Sequence, residues 1–291
     1  MKKAAPLVLF FALFVLPNFA FADTITPGTI EGEGSFFKIS NSEYLNIGLE
    51  SSEPIKARVE SIPNIIMLAL EPIYSIRSSK ISLSGLAPLA TYYKYQDDFH
   101  NLEIFISDEN GNYTYLQDLT EPHFIFIQTQ KSTKFIKDDA VGGDCTLIGT
   151  WDAGSKTCTL NTNVNQTIQI DSDNITLDGN RHLMTGSYPL TGVYLYKRAG
   201  VTVKNLNVEK FSAGIYARES NNNTFIGNTL DSNSAYGIVF YPSSSNNTVT
   251  KNTFSRNRYF GVHILDSNYN KIYNNNFIGN YTDPYAKTRW Q

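Results

Sequence analysis

The sequence contains few residues of the kinds that bind transition metals. Of 291 residues, two are cysteine, four are histidine and three are methionine. No Cys-x-x-Cys motif is present, and no two histidines have a spacing typical of a pair of metal ligands. The histidines stand far apart, at His100, His123, His182 and His263. The sequence therefore predicts neither a metal site nor a cofactor.

Only one stretch is long and apolar. Two lysines follow Met1, residues 6–21 are almost wholly apolar, and residues 20–22 form an Ala-x-Ala pattern. This arrangement predicts a signal peptide, residues 1–22, cleaved before Asp23. The alternative is an uncleaved membrane anchor. Because no later stretch could span a bilayer, we expect a secreted, periplasmic or cell-surface protein without a membrane span after cleavage.

Charge is also scarce, since only 18% of the residues are charged and the net charge is −3. Removal of Lys2 and Lys3 leaves 22 basic residues (24 minus 2) against 27 acidic ones, a net charge of −5. A mildly acidic surface argues against nucleic acid or an anionic membrane as the main partner. The 41% hydrophobic content suffices for one or two cores. The sequence gives no indication of the oligomeric state.

The two cysteines, Cys145 and Cys158, stand thirteen residues apart in a chain predicted to be exported. In such a compartment thiols pair, so we expect a disulfide that closes a short loop.

No segment keeps a helical period of 3.6 residues for three turns, whereas four units repeat every 22 to 24 residues between about 193 and 280. A glycine begins each unit, and three apolar columns follow it. The columns are Val193/Ile215/Ile238/Val262, Val203/Phe225/Val249/Ile272 and Val208/Leu230/Phe254/Phe277. A fixed period of this size indicates a solenoid, in which each unit buries its apolar face against its neighbours.

Asparagine dominates the predicted corners of this repeat. It recurs at Asn223/Asn247/Asn270, Asn228/Asn252/Asn275 and Asn233/Asn257/Asn280. Asparagine tolerates left-handed backbone conformations at tight corners, and stacked amides can hydrogen-bond from coil to coil. Short strands joined at such corners predict a parallel β-helix over residues 165–280.

Residues 23–137 lack this period and contain short alternating segments, which predict a β-sandwich. The candidate strands are 36–39, 44–49, 56–60, 65–70, 80–83, 91–95, 102–107, 113–116 and 123–128. Residues 81–93 resemble the passage of fibronectin type III domains that contains the tyrosine corner, in which a leucine and a tyrosine pack into the core and the tyrosine hydroxyl bonds to backbone. Residues 138–164 are predicted to be a linker and an N-terminal cap that contains both cysteines.

The stretch Ile175-Thr-Leu-Asp-Gly-Asn180, followed by repeated Asn-Thr-Phe, Asn-Thr-Val and Tyr-Gly-Ile triplets, resembles the NosD-type repeat. The resemblance covers residues 165–280 and implies a right-handed parallel β-helix of the class found in carbohydrate-binding proteins and sugar hydrolases. Its copper-related role in the periplasm is not expected here, because the metal ligands are missing.

Carboxylates suited to polysaccharide hydrolysis, lysis or epimerisation are few on the solenoid. The catalytic candidates are Asp171, Asp173, Asp178, Arg181 and His182. The alternative is that the aspartates are corner residues bonded to their own backbone.

Strand alternation places a second set of residues on the outer surface of the solenoid. The predicted carbohydrate-binding ridge comprises Tyr194, Tyr196, Tyr216, Arg218, Tyr241 and His263. Aromatic rings beside polar groups are suited to sugars, so the sequence predicts binding of a polysaccharide or cell-envelope glycan. The alternatives are tyrosines that merely favour strands, an enzyme with an unrecognised acidic site, a structural adhesion module and a NosD-like periplasmic factor.

Residues 281–291 are too few for another coil. We expect either that they cap the solenoid, with Trp290 over Phe277, or that the chain is a piece of a longer protein.

Overall fold

The computed structural model describes residues 28–40, 46–62, 65–73 and 77–280. The predicted signal peptide and the tail at 281–291 lie outside the described residues. The chain divides into two compact units, one ending at Lys131 and one beginning at Ser132. In the part of the chain that the structure describes, no helix is long and apolar enough to cross a lipid bilayer.

The first unit is an antiparallel β structure of eight strands. The strands are β1 (Thr29–Lys38), β2 (Gly48–Ile62), β3 (Ile65–Pro72), β4 (Ser78–Ser84), β5 (Thr91–Gln96), β6 (Asp98–Ile106), β7 (Tyr113–Asp118) and β8 (His123–Gln128). Their order is β6-β5-β8-β3-β2-β4-β7, and β1 pairs with β2. Although β6 and β7 stand at opposite ends of this order, the rings of Phe105 and Tyr113 stack with centroids 3.6 Å apart. The sheet therefore folds back on itself around a core, in the manner of a β-sandwich.

Strand β2 belongs to both halves of this folded sheet. Its first residues pair with β4 and its later residues pair with β3. The sequence predicted two strands here, at 44–49 and 56–60, and this division was wrong because the extended backbone continues between them, where Glu50 and Ser51 still pair with β4. Leu49 and Ile55, one from each half, are both fully buried. One long strand thus supplies both layers of the core.

The passage at residues 81–93 forms the local contact expected of a tyrosine corner. The hydroxyl of Tyr92 accepts a hydrogen bond of 2.9 Å from the backbone N–H of Ala87. Leu86 and Tyr92 are both buried. The strand order, with β8 between β3 and β5, does not by itself establish a fibronectin type III domain.

The second unit is a solenoid of short strands. The strands are β9 (Thr133–Ile136), β10 (Gly149–Asp152), β11 (Thr157–Leu160), β12 (Thr167–Ile170), β13 (Thr176–Asp178), β14 (Leu183–Thr185), β15 (Thr191–Tyr196), β16 (Thr202–Lys204), β17 (Asn207–Glu209), β18 (Ala213–Arg218), β19 (Thr224–Ile226), β20 (Thr229–Asp231), β21 (Tyr236–Phe240), β22 (Thr248–Thr250), β23 (Thr253–Ser255), β24 (Phe260–Ile264), β25 (Lys271–Tyr273) and β26 (Asn276–Ile278). They form three sheets, ordered β10-β11-β13-β16-β19-β22-β25, β24-β21-β18-β15-β12-β9 and β14-β17-β20-β23-β26. All pairs except β10 with β11 are parallel, so the predicted parallel β-helix is confirmed.

The three apolar columns predicted from the repeat are in register. Val193 pairs with Ile215, which pairs with Ile238 and then Val262. The other two columns pair equally well, coil by coil. The glycine column turns inward where space is least, since a Cβ at Gly237 would lie 2.4 Å from the Gly261 carbonyl oxygen and 2.6 Å from Phe254. The period is thus set by side chains that fill the interior.

The asparagine columns form buried ladders along the solenoid, as expected. The amide oxygen of Asn252 accepts the backbone N–H of Asn228 at 2.9 Å, and that of Asn275 accepts the N–H of Asn252 at 2.8 Å. The expectation that these asparagines adopt the left-handed conformation was wrong. That conformation belongs to the residue before each one, as in Lys251 with φ of 57°. Its side chain points to solvent, which leaves the ladder amide free to face inward.

The entry to the solenoid begins earlier than the sequence suggested. Strand β9, which lies within the predicted sandwich boundary of residue 137, pairs with β12 of the solenoid. Within the predicted linker and cap, a short 3-10 helix (Cys145–Leu147) precedes β10 and β11, and β11 pairs with β13. The sequence boundary followed the polar composition of residues 138–144, whereas the backbone pairing already starts before them.

The predicted disulfide between Cys145 and Cys158 is present, and both residues are fully buried. It closes a loop of thirteen residues, so the chain-entropy estimate of its contribution to stability is about 3 kcal/mol. We expect a reductant to lower the free energy of unfolding of the solenoid by about this amount in urea titrations. The double variant Cys145→Ala/Cys158→Ala is the control, because a reductant should not change its stability. An equal effect on both proteins would contradict the prediction.

Candidate functional site

The predicted ridge lies on the outer face of the six-stranded sheet. Tyr194 pairs with Tyr216, and Tyr196 pairs with Arg218, on adjacent coils. Val239 and His263 continue the first of these rows. Because successive residues of a strand alternate, these side chains point away from the interior that Val193 and Leu195 fill. The alignment of the columns thus matches the sequence prediction.

The exposure of this ridge differs from the prediction. Tyr194 and Tyr216 are only 6% and 2% exposed, and Arg218 is only 7% exposed. The rings cover one another along the solenoid axis, with centroids 5.5 Å apart for Tyr194 and Tyr216 and 5.7 Å apart for Tyr216 and Tyr241. Burial of Tyr216, reinforced by its tyrosine neighbours, raises the pKa of its hydroxyl far above the usual range. These three residues are therefore packed, and the expectation of an open ridge along all coils was wrong.

Tyr196 remains half-buried and lies beside two cations. The Lys197 ammonium is 4.9 Å from the centre of its ring, and the Arg218 guanidinium carbon is 5.4 Å from it. Both cations also approach Glu219, at 3.8 Å and 3.5 Å. The ring is thus held in place by cation–π contacts, and polar groups surround it.

A further group of rings lies on the outer face of the last two coils. We call Tyr236, Phe260 and His263 the aromatic platform. The Tyr236 and His263 centroids are 4.9 Å apart with planes 18° apart, and those of Phe260 and His263 are 5.5 Å and 17° apart. Phe260 is 39% exposed, and Tyr236 and His263 are half-buried. Burial lowers the pKa of His263, so the imidazole is neutral at neutral pH.

Sequence reasoning missed Tyr236 and Phe260. They pair with each other in the column that precedes the glycines. Because Gly237 and Gly261 turn toward the interior, the residue before each glycine points outward, which simple alternation from Ile238 or Val262 does not predict. The sequence signal that could have revealed these two rings is an aromatic residue directly before each of the two aligned glycines.

The acidic candidates take part in separate contacts. Asp173 accepts the backbone N–H of Ala199 at 3.0 Å, and Asp171 accepts a hydrogen bond from the amide of Gln169 at 3.0 Å. Asp178 accepts the backbone N–H of Asn180 at 3.0 Å and pairs with Lys204 at 3.1 Å. Partial burial alone would raise the pKa of Asp178, but these contacts outweigh it and hold the pKa below its ordinary value.

The basic candidates next to them lie at a backbone corner. Arg181 is exposed with φ of 64°, and its N–H donates to the Asn205 carbonyl at 2.7 Å. The N–H of His182 donates to the Gly179 carbonyl at 2.7 Å, and the His182 carbonyl accepts the N–H of Asn207. These contacts support the corner and do not assemble a pair of carboxylates around a shared cleft.

A sequence profile of the family described as periplasmic copper-binding protein (NosD) matches residues 100–291, about two thirds of the chain. The chain belongs to the NosD family. No curated protein matches it significantly.

Solved structures similar to this NosD-family chain include the catalytic domain of GH87 alpha-1,3-glucanase in complex with nigerose. The identity is 13% and the TM-score 0.27, with 81% of this chain and 59% of that chain covered. A second is the Agl-KA catalytic domain, with 11% identity, a TM-score of 0.24 and coverage of 87% and 66%. The chain spans about three fifths of the length of the first structure.

The family description raises the question of copper, and the donor residues of this NosD-family chain do not fit it. Copper sites in proteins draw on cysteine, methionine and histidine. Both cysteines are in the disulfide, and Met67 and Met184 are buried in separate units. His263 stacks between rings. Within the described ranges, no three His, Cys, Asp or Glu side chains are close enough to hold a metal ion.

Proposed function

We propose that this NosD-family protein binds polysaccharide through the accessible part of the outer face of its six-stranded sheet. This part consists of the aromatic platform together with Tyr241 and Tyr196. The observation that carries the proposal is the platform itself, in which three rings with nearly parallel planes lie on the outer surface instead of in the core. Phe260 presents more than a third of its surface to solvent.

The chemistry of this surface suits sugars. Aromatic rings bind the apolar faces of sugars, while neighbouring hydroxyl and charged groups make hydrogen bonds that fix orientation. Tyr196 and Lys197 supply such groups on an earlier coil of the same face, and Tyr241 supplies one on the coil of Tyr236. Successive coils repeat at about 4.8 Å, so the face can contact several units of an extended chain.

The proposed setting is outside the cytoplasm. The NosD family is described as periplasmic, the N-terminal residues have the pattern of a signal peptide, and the buried disulfide is typical of an oxidising compartment. A cell-envelope or extracellular glycan is therefore the partner class that we propose.

The test is a panel of neutral and uronate-containing polysaccharides, measured for binding and for release of reducing sugar. We expect binding by the mature protein and a loss of at least about tenfold in affinity for the variant Tyr241→Ala/Phe260→Ala/His263→Ala. Loss of several buried contacts with bound sugar accounts for that magnitude.

The matched control is Tyr269→Ala/Tyr273→Ala, which removes two rings that are 82% and 50% exposed and lie away from this sheet. Its affinity should equal that of the unchanged protein. Equal affinities for the triple variant Tyr241→Ala/Phe260→Ala/His263→Ala and the unchanged protein would contradict the proposal. Turnover that depends on Asp171 or Asp173 would instead show an enzyme, and neither binding nor turnover would leave a structural module.

A further inference from the structure

A buried histidine lies at one end of the core of the first unit. His123, the first residue of β8, is 6% exposed. Its Nδ1 is 2.6 Å from Oδ2 of Asp97, and the Gln96 side-chain amide lies 3.0 Å from the same nitrogen. The imidazole N–H donates to the carboxylate, so β8 is joined to the turn between β5 and β6.

Asp97 is fixed to β8 by its backbone as well as by its side chain. Its Oδ1 accepts the backbone N–H of Phe124 at 2.7 Å, and its own N–H donates to the Phe124 carbonyl at 2.8 Å. Its φ is 60°, a conformation that few residues other than glycine and asparagine adopt readily. A carboxylate in this turn is therefore held against His123 by three contacts.

Two buried atoms of this cluster have no hydrogen-bond partner among the described residues, namely Nε2 of His123 and Oε1 of Gln117. Gln117 is 2% exposed, and its Nε2 donates to the Asp118 carbonyl at 2.8 Å and lies 3.5 Å from Oε1 of Gln96. The carboxylate of Asp97 can only accept, so Nδ1 of His123 carries the proton of this hydrogen bond.

The charged groups that act on His123 are all carboxylates. They are Asp97 after β5, Asp118 at the end of β7 and Glu121 in the turn before β8. Leu70, the partner of His123 on β3, is apolar. The cation on the core-facing side of β5, Lys94, is paired with Glu103 at 2.6 Å.

We propose that His123 is a buried imidazolium that binds the β5–β6 turn to β8, so that its contribution to the stability of the first unit is greatest in acid and decreases as the pH rises. The His123–Asp97 hydrogen bond has two protonation states. With both nitrogens protonated, the ring and Asp97 form a charged hydrogen bond in a region of low exposure, which is stronger than a neutral one. With one proton lost, the pair keeps only the weaker bond.

The hydrogen bond from His123 to Asp97 raises the pKa of the imidazole, burial opposes this, and the charges of Asp97, Glu121 and Asp118 add to it. A group whose pKa is raised by folding stabilises the folded state fully below its unfolded pKa of about 6.5. That stabilisation is lost as the pH rises through the folded pKa. The contribution therefore favours mildly acidic over alkaline conditions.

The first arm of the test is urea unfolding of the mature protein and of Asp97→Asn at about pH 5 and about pH 8. Unfolding of the first unit can be followed by hydrogen exchange in peptides that contain β8. Asparagine keeps the acceptor for the Phe124 N–H and tolerates the positive φ, so the variant removes mainly the charge. We expect the stability difference between the two proteins to be larger at the lower pH. An equal difference at both pH values would overturn the proposal.

The second arm is an NMR titration of the imidazole nitrogens in the unchanged protein, with His123 assigned by comparison with His123→Gln. His100, an exposed histidine of the same unit, is the internal reference, and His100→Gln is the matched control. We expect both nitrogens of His123 to stay protonated above the ordinary pKa of histidine, about 6.5. A pKa of His123 at or below about 6.5 would overturn the proposal, even if Asp97→Asn did not fold.

Discussion

Replacement of Asn252 by alanine is expected to lower the free energy of unfolding of the solenoid by about 2 to 4 kcal/mol. Asn252 is 1% exposed, and its amide oxygen accepts the backbone N–H of Asn228 at 2.9 Å. Its amide nitrogen donates to the Phe225 carbonyl at 2.9 Å. Alanine would leave the buried N–H of Asn228 without a partner, at a cost of about 1 to 3 kcal/mol, and would remove one hydrogen bond to the Phe225 carbonyl, at a cost of about 1 kcal/mol.

The measurement is urea unfolding followed by far-ultraviolet circular dichroism, with Asn276→Ala as the control. Asn276 belongs to the same solenoid but is exposed, so its replacement should change the free energy of unfolding by no more than about 0.5 kcal/mol. Losses of similar size in the two variants would show that the ladder does not stabilise the coils more than any surface asparagine does.

Replacement of Phe254 by alanine is the second change with a large expected effect, a loss of about 3 to 5 kcal/mol. Phe254 is fully buried, and its ring stacks on Phe277 of the next coil with centroids 4.9 Å apart. It also lies against the glycine column, where the backbone of neighbouring coils is close. Backbone hydrogen bonds on both sides hold the coils at their spacing, so the cavity cannot collapse fully.

Thermal and urea unfolding of Phe254→Ala and Phe260→Ala make a matched comparison, because the two side chains are identical and only six positions apart. Phe260 lies on the outer face, and its loss should cost less than about 1 kcal/mol. A smaller loss for Phe254→Ala than for Phe260→Ala would contradict the assignment of inner and outer faces.

The period and the inner columns of the solenoid were predictable from the sequence because each coil must repeat the same packing. Val193, Ile215, Ile238 and Val262 recur at the spacing of one coil, and their register follows directly. The positions with a left-handed backbone were not predictable from composition. Lys251 and Tyr269 occupy such positions, just as some asparagines do. The hydrogen bonds of the ladder, and not backbone tolerance, account for the asparagine columns.

The first unit shows a different limit. The segments that become strands were recognisable from alternation, but their pairing order was not, because strands such as β3 and β8 meet across more than fifty residues of sequence. Local patterns contain no information on such contacts. The continuity of β2 was missed because residues 50–54 are polar or turn-forming, although the backbone stays extended through them.

The candidate site was predicted only in outline. The sequence placed Tyr194, Tyr216 and Tyr241 correctly in outward columns, but exposure depends on what neighbouring rings cover. The inward turn of Gly237, which brings Tyr236 to the surface, requires the close approach of the Gly261 backbone on the next coil. Both effects involve contacts between coils, which a single repeat does not reveal.

The inner columns hold the solenoid together, and we propose that the aromatic platform binds the polysaccharide. The most direct test is the affinity of Phe260→Ala and Phe254→Ala for the polysaccharide that the panel selects, measured calorimetrically where both variants are folded. We expect an affinity at least about tenfold lower for Phe260→Ala and an unchanged affinity for Phe254→Ala. An unchanged affinity for Phe260→Ala would contradict the proposal.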